Sequence, residues 1–445
     1  MKEESILLLS YYYNIELINN KLLKYVKNRC GVYLPWDIYL FEPLKRIFSK
    51  VILYDYLERT AEIGVKAVNQ EVISIVRQEH PKYVLWTSFY YDILGSTLDQ
   101  VRQEGSIVIG WFFDDEWRFD PYSKWWIPHL DYFVTNARDA VPKYRELNAG
   151  VILTIPNTGV PVALDWNALE EKHDVSFTGT RYYADRDQWI KEIQKRGVHI
   201  DLFGTGWGRY ISFEEMIQVF STSRINLNFS KTVHDLTKLQ IKGRIFQVCL
   251  AGGFLLTEYA PGIEDYFEIG REVVCFQNTK ELAEKIDYYL SHESERRAIA
   301  MAGWVRATRE YSSGSMVEKV FLEIEEETSK KPIRIKPPAS PVMLPKQTLK
   351  NMSDYHLEWG MAFLAENHKG LWKDSLALSR QYDPFNIQAG FHVVVSLLPA
   401  GIRPLLIAAW NFPGRFFRKV ITMTGTRRYL QFLKQFYRKH IKKTA

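Results

Sequence analysis

Short apolar runs alternate with amphipathic stretches through the first 160 residues. Ile6–Leu9, Val51–Tyr54, Tyr83–Thr87, Ile107–Phe113, Tyr132–Thr135 and Val151–Ile155 have strand length and are rich in β-branched and aromatic residues. Between them the spacing predicts helices such as Lys66–Gln78 and Ile93–Gln103. Near-continuous apolar strands separated by helices indicate a parallel sheet covered on both faces. The pattern then restarts, with strands at Asp174–Thr178, Val198–Phe203, Ile225–Phe229, Gly253–Thr257 and Glu272–Phe276. Helices are predicted between them at Tyr183–Arg196, Phe213–Phe220, Gln240–Leu250 and Lys280–Leu290. The expected fold is α/β, with two Rossmann-like, doubly wound domains at 1–165 and 166–327. Their cleft would face the carboxyl ends of both sheets, where open α/β sheets bind ligands.

A charged helical run ends near Glu327. It is followed by KKPIRIKPPASPVMLPK, with five prolines in 17 residues, which predicts an extended linker over 328–348. Residues 349–445 are expected to form a helical, basic tail domain. Within it, 349–386 resembles a single tetratricopeptide-type helix pair through Trp359, Gly360, Ala365 and Asp383-Pro384.

Composition and charge refine this picture. Of 445 residues, 46% are hydrophobic, enough to build full cores. The net charge of +6 comes from 58 basic and 52 acidic residues. No acidic residue follows Asp383, while eleven basic residues do, so subtracting them leaves residues 1–400 at −5. A nucleic-acid partner is therefore not expected, and any polyanion or membrane contact concerns the tail alone. Cys30, Cys249 and Cys275 form neither an even set nor a metal-ligand spacing, which points to reduced thiols in the cytoplasm. The opening MKEESILLLSYYY lacks the basic and long apolar regions of a signal peptide, so none is expected.

Four stretches at predicted strand ends carry candidate chemistry. In Trp111-Phe112-Phe113-Asp114-Asp115-Glu116, three carboxylates follow a buried strand. Asp114 and Asp115 are candidates to take a proton from an acceptor hydroxyl, or to cap a helix by satisfying its free N–H groups. In Thr178-Gly179-Thr180-Arg181, with Arg186 beyond, Gly179 would let backbone approach an anion and the arginines would supply positive potential; the alternative is a tight turn with solvated arginines. Phe203-Gly204-Thr205-Gly206-Trp207-Gly208 offers an open loop at Gly204 and Gly206 and a stacking face at Trp207, but it is not G-x-G-x-x-G. Around Lys242-Gly243-Arg244 and Ala251-Gly252-Gly253, Lys242 and Arg244 are placed to hold a diphosphate. Gln247, Thr257 and Glu258 are placed to hold ribose or sugar hydroxyls.

These residues have a familiar order. DVSFTGTR, DLFGTGW, LQIKGRIFQVCLAGGFLLTEYAPGIEDYF, REVVCF and the first-half segments GWFFDDEWRFD and IPNTGVP resemble the glycosyltransferase-like group that includes the CgeB-type spore maturation proteins. That resemblance covers about residues 5–325 and implies a GT-B glycosyltransferase related to the family-four type, with the donor held mainly by the second domain. It implies a nucleoside diphosphate sugar as donor substrate, no tightly bound cofactor and no metal. Lys242, Arg244, Arg181 and Arg186 would then neutralise the leaving diphosphate. In the wider family a Glu before A-x-G-G contacts the donor ribose; here Gln247 stands in its place, and Leu239 stands where a paired Glu is expected.

Residues 387–410, IQAGFHVVVSLLPAGIRPLLIAAW, have the length of a membrane span, but Pro399, Gly401, Arg403 and Pro404 interrupt it. Packed helices and an interfacial element followed by aromatic and basic residues are the open readings, the second making an anionic membrane surface a partner of 387–445. The functional expectation is a cytoplasmic glycosyltransferase, peripheral at the inner membrane face if the tail binds lipid. It would act on a glycan, lipid-linked or protein acceptor in cell-surface polysaccharide or glycoprotein synthesis. The alternative is a non-catalytic nucleotide- or glycan-binding protein, or a spore or surface-layer protein, on the same fold. A Rossmann oxidoreductase is disfavoured, because no G-x-G-x-x-G follows Ile6–Leu9.

Overall fold

Both apolar repeats become parallel sheets. A computed structural model describes residues 2–10, 37–330 and 344–386, apart from 89, 157, 167–169, 183, 210, 233–236, 366, 367 and 385. The chain divides into two compact units, Met1–Leu344 and Pro345–Ala445.

The first sheet contains β1 (Lys2–Ser10), β2 (Phe48–Asp55), β3 (Tyr83–Thr87), β4 (Ile107–Trp111), β5 (Tyr132–Thr135) and β6 (Gly150–Leu153), in the order β2-β1-β3-β4-β5-β6. Every pairing is parallel, with Ile6 beside both Val51 and Tyr83. Ile6 through Leu9 and all of β3 are buried, as a sheet covered on both faces requires. The helix expected at Lys66–Gln78 is longer, running from Tyr56 to Glu79 as α2 after the six-residue α1 (Glu42–Ile47). Asp55 caps α2 by accepting from the backbone N–H groups of Leu57 and Glu58, and Gly64, at φ 81°, kinks it.

The second sheet contains β7 (His173–Thr178), β8 (Asp201–Phe203), β9 (Ser223–Asn228), β10 (Leu255–Glu258) and β11 (Val274–Phe276), in the order β11-β10-β9-β7-β8. Its order reverses between β7 and β9, and that of the first sheet between β1 and β3. Such reversals open a crevice at the carboxyl edge. Its helices are α6 (Arg186–Lys195), α7 (Phe213–Thr222), α8 (Gly243–Leu250), α9 (Thr279–Ser291) and α10 (Glu293–Glu310); α3 to α5 (Gly95–Gln103, Asp115–Arg118, Val141–Glu146) belong with the first sheet. Two Rossmann-like sheets with contacts between their carboxyl-edge loops make this a GT-B arrangement.

The last helix of this unit, α11 (Ser313–Lys330), follows the second sheet in sequence yet packs on the first. Phe321 lies edge-on to Phe48 and Tyr83 at 4.9 and 5.4 Å, and the hydroxyls of Tyr132 and Thr328 are 2.9 Å apart. In the second unit, α12 (Lys346–Ala365) and α13 (Lys369–Tyr382) form the expected helix pair around Trp359, Phe363 and Leu376. The proline-rich core of the linker, 331–343, and the basic tail, 387–445, lie outside the described residues, whereas 328–330 and 346–348 are helical. No helix among the described residues is long and apolar enough to cross a membrane.

Candidate functional site

The reversal between β7 and β9 places the loops that follow them, beginning at Gly179 and Phe229, at the carboxyl edge of the second sheet. Two guanidinium groups meet over the ring of Phe177 there, with Arg186 4.9 Å and Arg244 5.2 Å from its centroid. Gly179 permits this: a Cβ at that position would stand 2.7 Å from Arg244 Nη2 and 3.3 Å from Arg186 Nη1. Arg186 Nη1 donates to the Thr180 carbonyl at 2.7 Å, and Arg244 Nη1 to Asn228 Oδ1 at 3.1 Å.

Thr257 and Glu258 stand behind this pair. Asn228 Nδ2 donates to Thr257 Oγ1 at 2.9 Å, so Thr257 orients the amide that holds Arg244. The Glu258 carboxylate accepts from the backbone N–H of Ser230 at 2.7 Å and of Lys231 at 3.3 Å, fixing the loop after β9. Both residues are buried, and their hydrogen bonds support the loop and Arg244. The glycine loop after β8 is also built inward. A Cβ on Gly204, at φ 110°, would lie 2.7 Å from the Gly179 carbonyl oxygen; one on Gly206 would lie 2.9 Å from Arg181 and Tyr182. Trp207 Nε1 donates to that same Gly179 oxygen at 2.9 Å. Arg181 sits over the Trp207 ring and is paired with Asp187 at 2.7 Å.

Lys242, in an extended conformation, is the N-cap residue of α8, and residues 240–242 are not helical. That shape carries a side chain to the other sheet. Gln240 Nε2 donates to Asp114 Oδ1 at 3.1 Å and Glu116 Oε2 at 3.2 Å, while its Oε1 accepts from Lys242 Nζ at 2.6 Å. Lys238 Nζ donates to the Glu116 carbonyl at 3.1 Å. Gln247, expected at a ribose, donates from Nε2 to the Tyr39 hydroxyl of the first half at 2.8 Å.

Burial brings the charges of this crossing toward neutrality. It pushes the Lys242 ammonium down to about 8, with Asp114 and Glu116 pulling upward against Arg186 and Arg244. Burial pushes Glu116 up to about 7, aided by the neighbouring charges of Asp114, Asp139 and Asp115.

The two adjacent aspartates separate. Asp114 adopts a left-handed conformation, φ 58° and ψ 33°, and contacts Gln240. Asp115 turns into the first half's core, 1% exposed, where it accepts from Ser123, Thr135 and Tyr144 hydroxyls at 2.5, 2.8 and 2.9 Å. Desolvation raises its pKa despite those donors. Asp115, a candidate proton acceptor, is thus engaged by three hydroxyls in the core, and Glu116 stands beside Asp114 at the Gln240 amide. Sequence reasoning placed Glu116 in the acidic run without singling it out, and it missed Gln240 and Asn228, whose partners are distant in the chain. Among the described residues no cluster of acidic, His or Cys side chains is arranged to hold a metal.

Residues 186–321 match the family model described as glycosyl transferase-like. That segment contains Arg186, Lys242 and Arg244. No curated protein sequence matches the chain. Among solved structures, a glycosyltransferase from Rickettsia africae is similar at 11% identity and a TM-score of 0.48, covering 74% of this chain and 100% of its own. Sucrose-phosphate synthase from Thermosynechococcus elongatus gives 10%, 0.49, 74% and 100% in the same terms. HepE of Anabaena, solved in complex with UDP and glucose, gives 10%, 0.46, 73% and 100%.

Proposed function

We propose that the chain is a glycosyltransferase that moves a hexosyl or related group from a nucleoside diphosphate sugar to a hydroxyl of a glycan, lipid-linked or protein acceptor. One observation carries the reading: Arg186 and Arg244 converge over Phe177 at a glycine, on the edge where the strand order reverses. In the reaction the bond from the anomeric carbon to the diphosphate oxygen breaks, and the acceptor oxygen bonds to that carbon and gives up its proton. Negative charge grows on the leaving diphosphate, and fixed cations stabilise it most when water is excluded. Arg186, Arg244 and Lys242 are positioned for that task, which supports transfer without a bound metal. Gly179 admits the anion, and Arg181, Gly204, Gly206 and Trp207 frame the loop beside it. Asp114, with Glu116, faces them from the acceptor side through Gln240 and would receive the proton or orient the hydroxyl.

The glycosyl transferase-like match over 186–321 supports the same reading. The UDP and glucose in HepE suggest UDP-glucose as the first donor to try. We place the activity in cell-surface polysaccharide or glycoprotein synthesis in the cytoplasm, with 387–445 as the acceptor- or membrane-engaging part. A non-catalytic nucleotide binder is the second reading, favoured by Gln247, whose amide nitrogen is engaged by Tyr39. A panel of nucleoside diphosphate sugars tests both readings, with released diphosphate and product as readouts. Turnover that Arg244→Ala abolishes supports the transferase. Saturable nucleotide binding with no turnover of any donor supports the binder.

A further inference from the structure

At the opposite, amino edge of the second sheet lies a small, open pocket lined in part by Trp166, Glu171, Ser223, Phe254, Arg296 and Arg297. We infer that it binds a small oxyanion, a phosphate or a carboxylate, at a site separate from the donor cleft. Strand β9 has Ser223 at the cavity and Asn228 at the donor edge. Five steps of strand separate the two places by about 16 Å.

Three arginines share one internal carboxylate here. Glu171 receives Arg296 at 2.6 Å, Arg224 at 3.6 Å and Arg297 at 3.6 Å. The other carboxylates in reach, Asp174 beside Arg224 and Glu293 beside Arg297, are 64% and 55% exposed, so solvent screens them. Arg296 is 2% exposed. Its Nη1 donates to the Arg224 carbonyl at 3.0 Å and its Nη2 to Glu171, but its buried Nε has no hydrogen-bond partner. A buried guanidinium N–H without an acceptor is costly, and an oxyanion lone pair would satisfy it. Gly252 and Phe254 supply an apolar wall. A Cβ on Gly252 would lie 1.9 Å from Leu164, so an occupant would sit beside the segment joining the two sheets.

Thermal melting of the full chain, at constant ionic strength, tests this site with inorganic phosphate in one arm and acetate in the other. The expected result is a saturable rise in melting temperature with at least one anion, and the responding arm identifies the preferred head group. The rise persists in Arg244→Gln, its midpoint moves about tenfold higher in Arg297→Gln, and it moves about tenfold lower in Glu171→Gln, where the internal counter-charge is gone. No saturable rise with either anion would overturn the proposal. So would a rise that vanishes in Arg244→Gln and survives in Arg297→Gln, because the anion would then occupy the donor cleft. Melting reports occupancy whether or not the chain turns over a sugar donor.

Discussion

Lys242 Nζ donates to the Gln240 side-chain oxygen at 2.6 Å, and the same amide's nitrogen reaches Asp114 and Glu116. One neutral side chain thus links the cation of one sheet to the carboxylates of the other. Gln240→Ala should lower kcat by roughly tenfold to a hundredfold while changing donor affinity by less than about threefold, since the diphosphate cations remain. Steady-state kinetics with nucleotide titration separates the two effects. Loss of affinity with kcat intact would place Gln240 in donor binding instead.

Lys242 and Glu116 titrate on either side of a narrow window. Free lysine holds its proton to 10.5 but the buried Lys242 only to about 8, so the unfolded chain binds more protons across that interval and stability rises with pH there. Glu116 moves from 4.5 to about 7, so the folded chain binds more protons between those values and stability falls as pH rises. Urea midpoints should therefore pass through a minimum between about pH 7 and 8, where Glu116 and Lys242 are both charged. Transfer should be fastest in that same window. Lys242→Met should remove the upper limb of the stability profile and Glu116→Gln the lower one.

Gly179→Ala, at a φ of 157°, directs a methyl group at the hydrogen-bonded guanidinium groups of Arg244 and Arg186 and at the Phe177 ring. Stability should fall by about 1–2 kcal/mol, while nucleoside diphosphate affinity falls roughly tenfold as Arg244 is displaced. Gly204→Ala should behave differently. Its methyl group meets the Gly179 carbonyl oxygen at a φ of 110°, so the cost should be about 1–3 kcal/mol of stability in denaturant melts.

Asp114→Asn and Asp115→Asn should part company. Asp115 accepts three hydroxyl hydrogen bonds in the core, and an amide in its place turns a donor toward at least one of them. About 2–3 kcal/mol of stability should be lost, measured by urea unfolding. Asp114→Asn should leave stability within about 1 kcal/mol and lower turnover, measured at saturating donor. Equal effects on stability would remove the distinction.

Extensive chelation with EDTA should leave turnover unchanged, because Arg186, Arg244 and Lys242 provide the charge that a leaving diphosphate needs. A loss that magnesium restores would show that these side chains are insufficient alone.

The strands were readable because each is a short apolar run with punctuation at both ends; Tyr83–Thr87 and Tyr132–Thr135 occupy the positions expected. Ends were less readable. The strand expected at Ile107–Phe113 stops at Trp111, and the helix expected from Gln240 begins at Gly243. Nothing in Lys-Leu-Gln-Ile-Lys forbids a helix; residues 240–242 are not helical, and Gln240 bonds a partner 126 residues away. The same limit applies to Asp114 and Asp115. Adjacent acids look equivalent in one dimension, and only the positive φ of the first sends their carboxylates to different places. Gly179, Arg186, Lys242 and Arg244 could be singled out as candidates because small and cationic residues at strand and helix ends have a local physical meaning. Glu171 and its three arginines, spread over 126 positions, have no such local signature.

The chain passes between the two sheets twice, once through residues 154–172 and once where α10 gives way to α11. These passages touch: Ser313 N–H donates to the Gly159 carbonyl at 2.8 Å, and the Thr158 and Ser313 hydroxyls are 3.5 Å apart. Two ribbons clasped together, with Gln240 and Gln247 also reaching across, leave the halves less freedom than a single tether would. The halves are also inseparable as folding pieces, because a fragment cut before Ser313 would strip the cover from Phe48 and Tyr83.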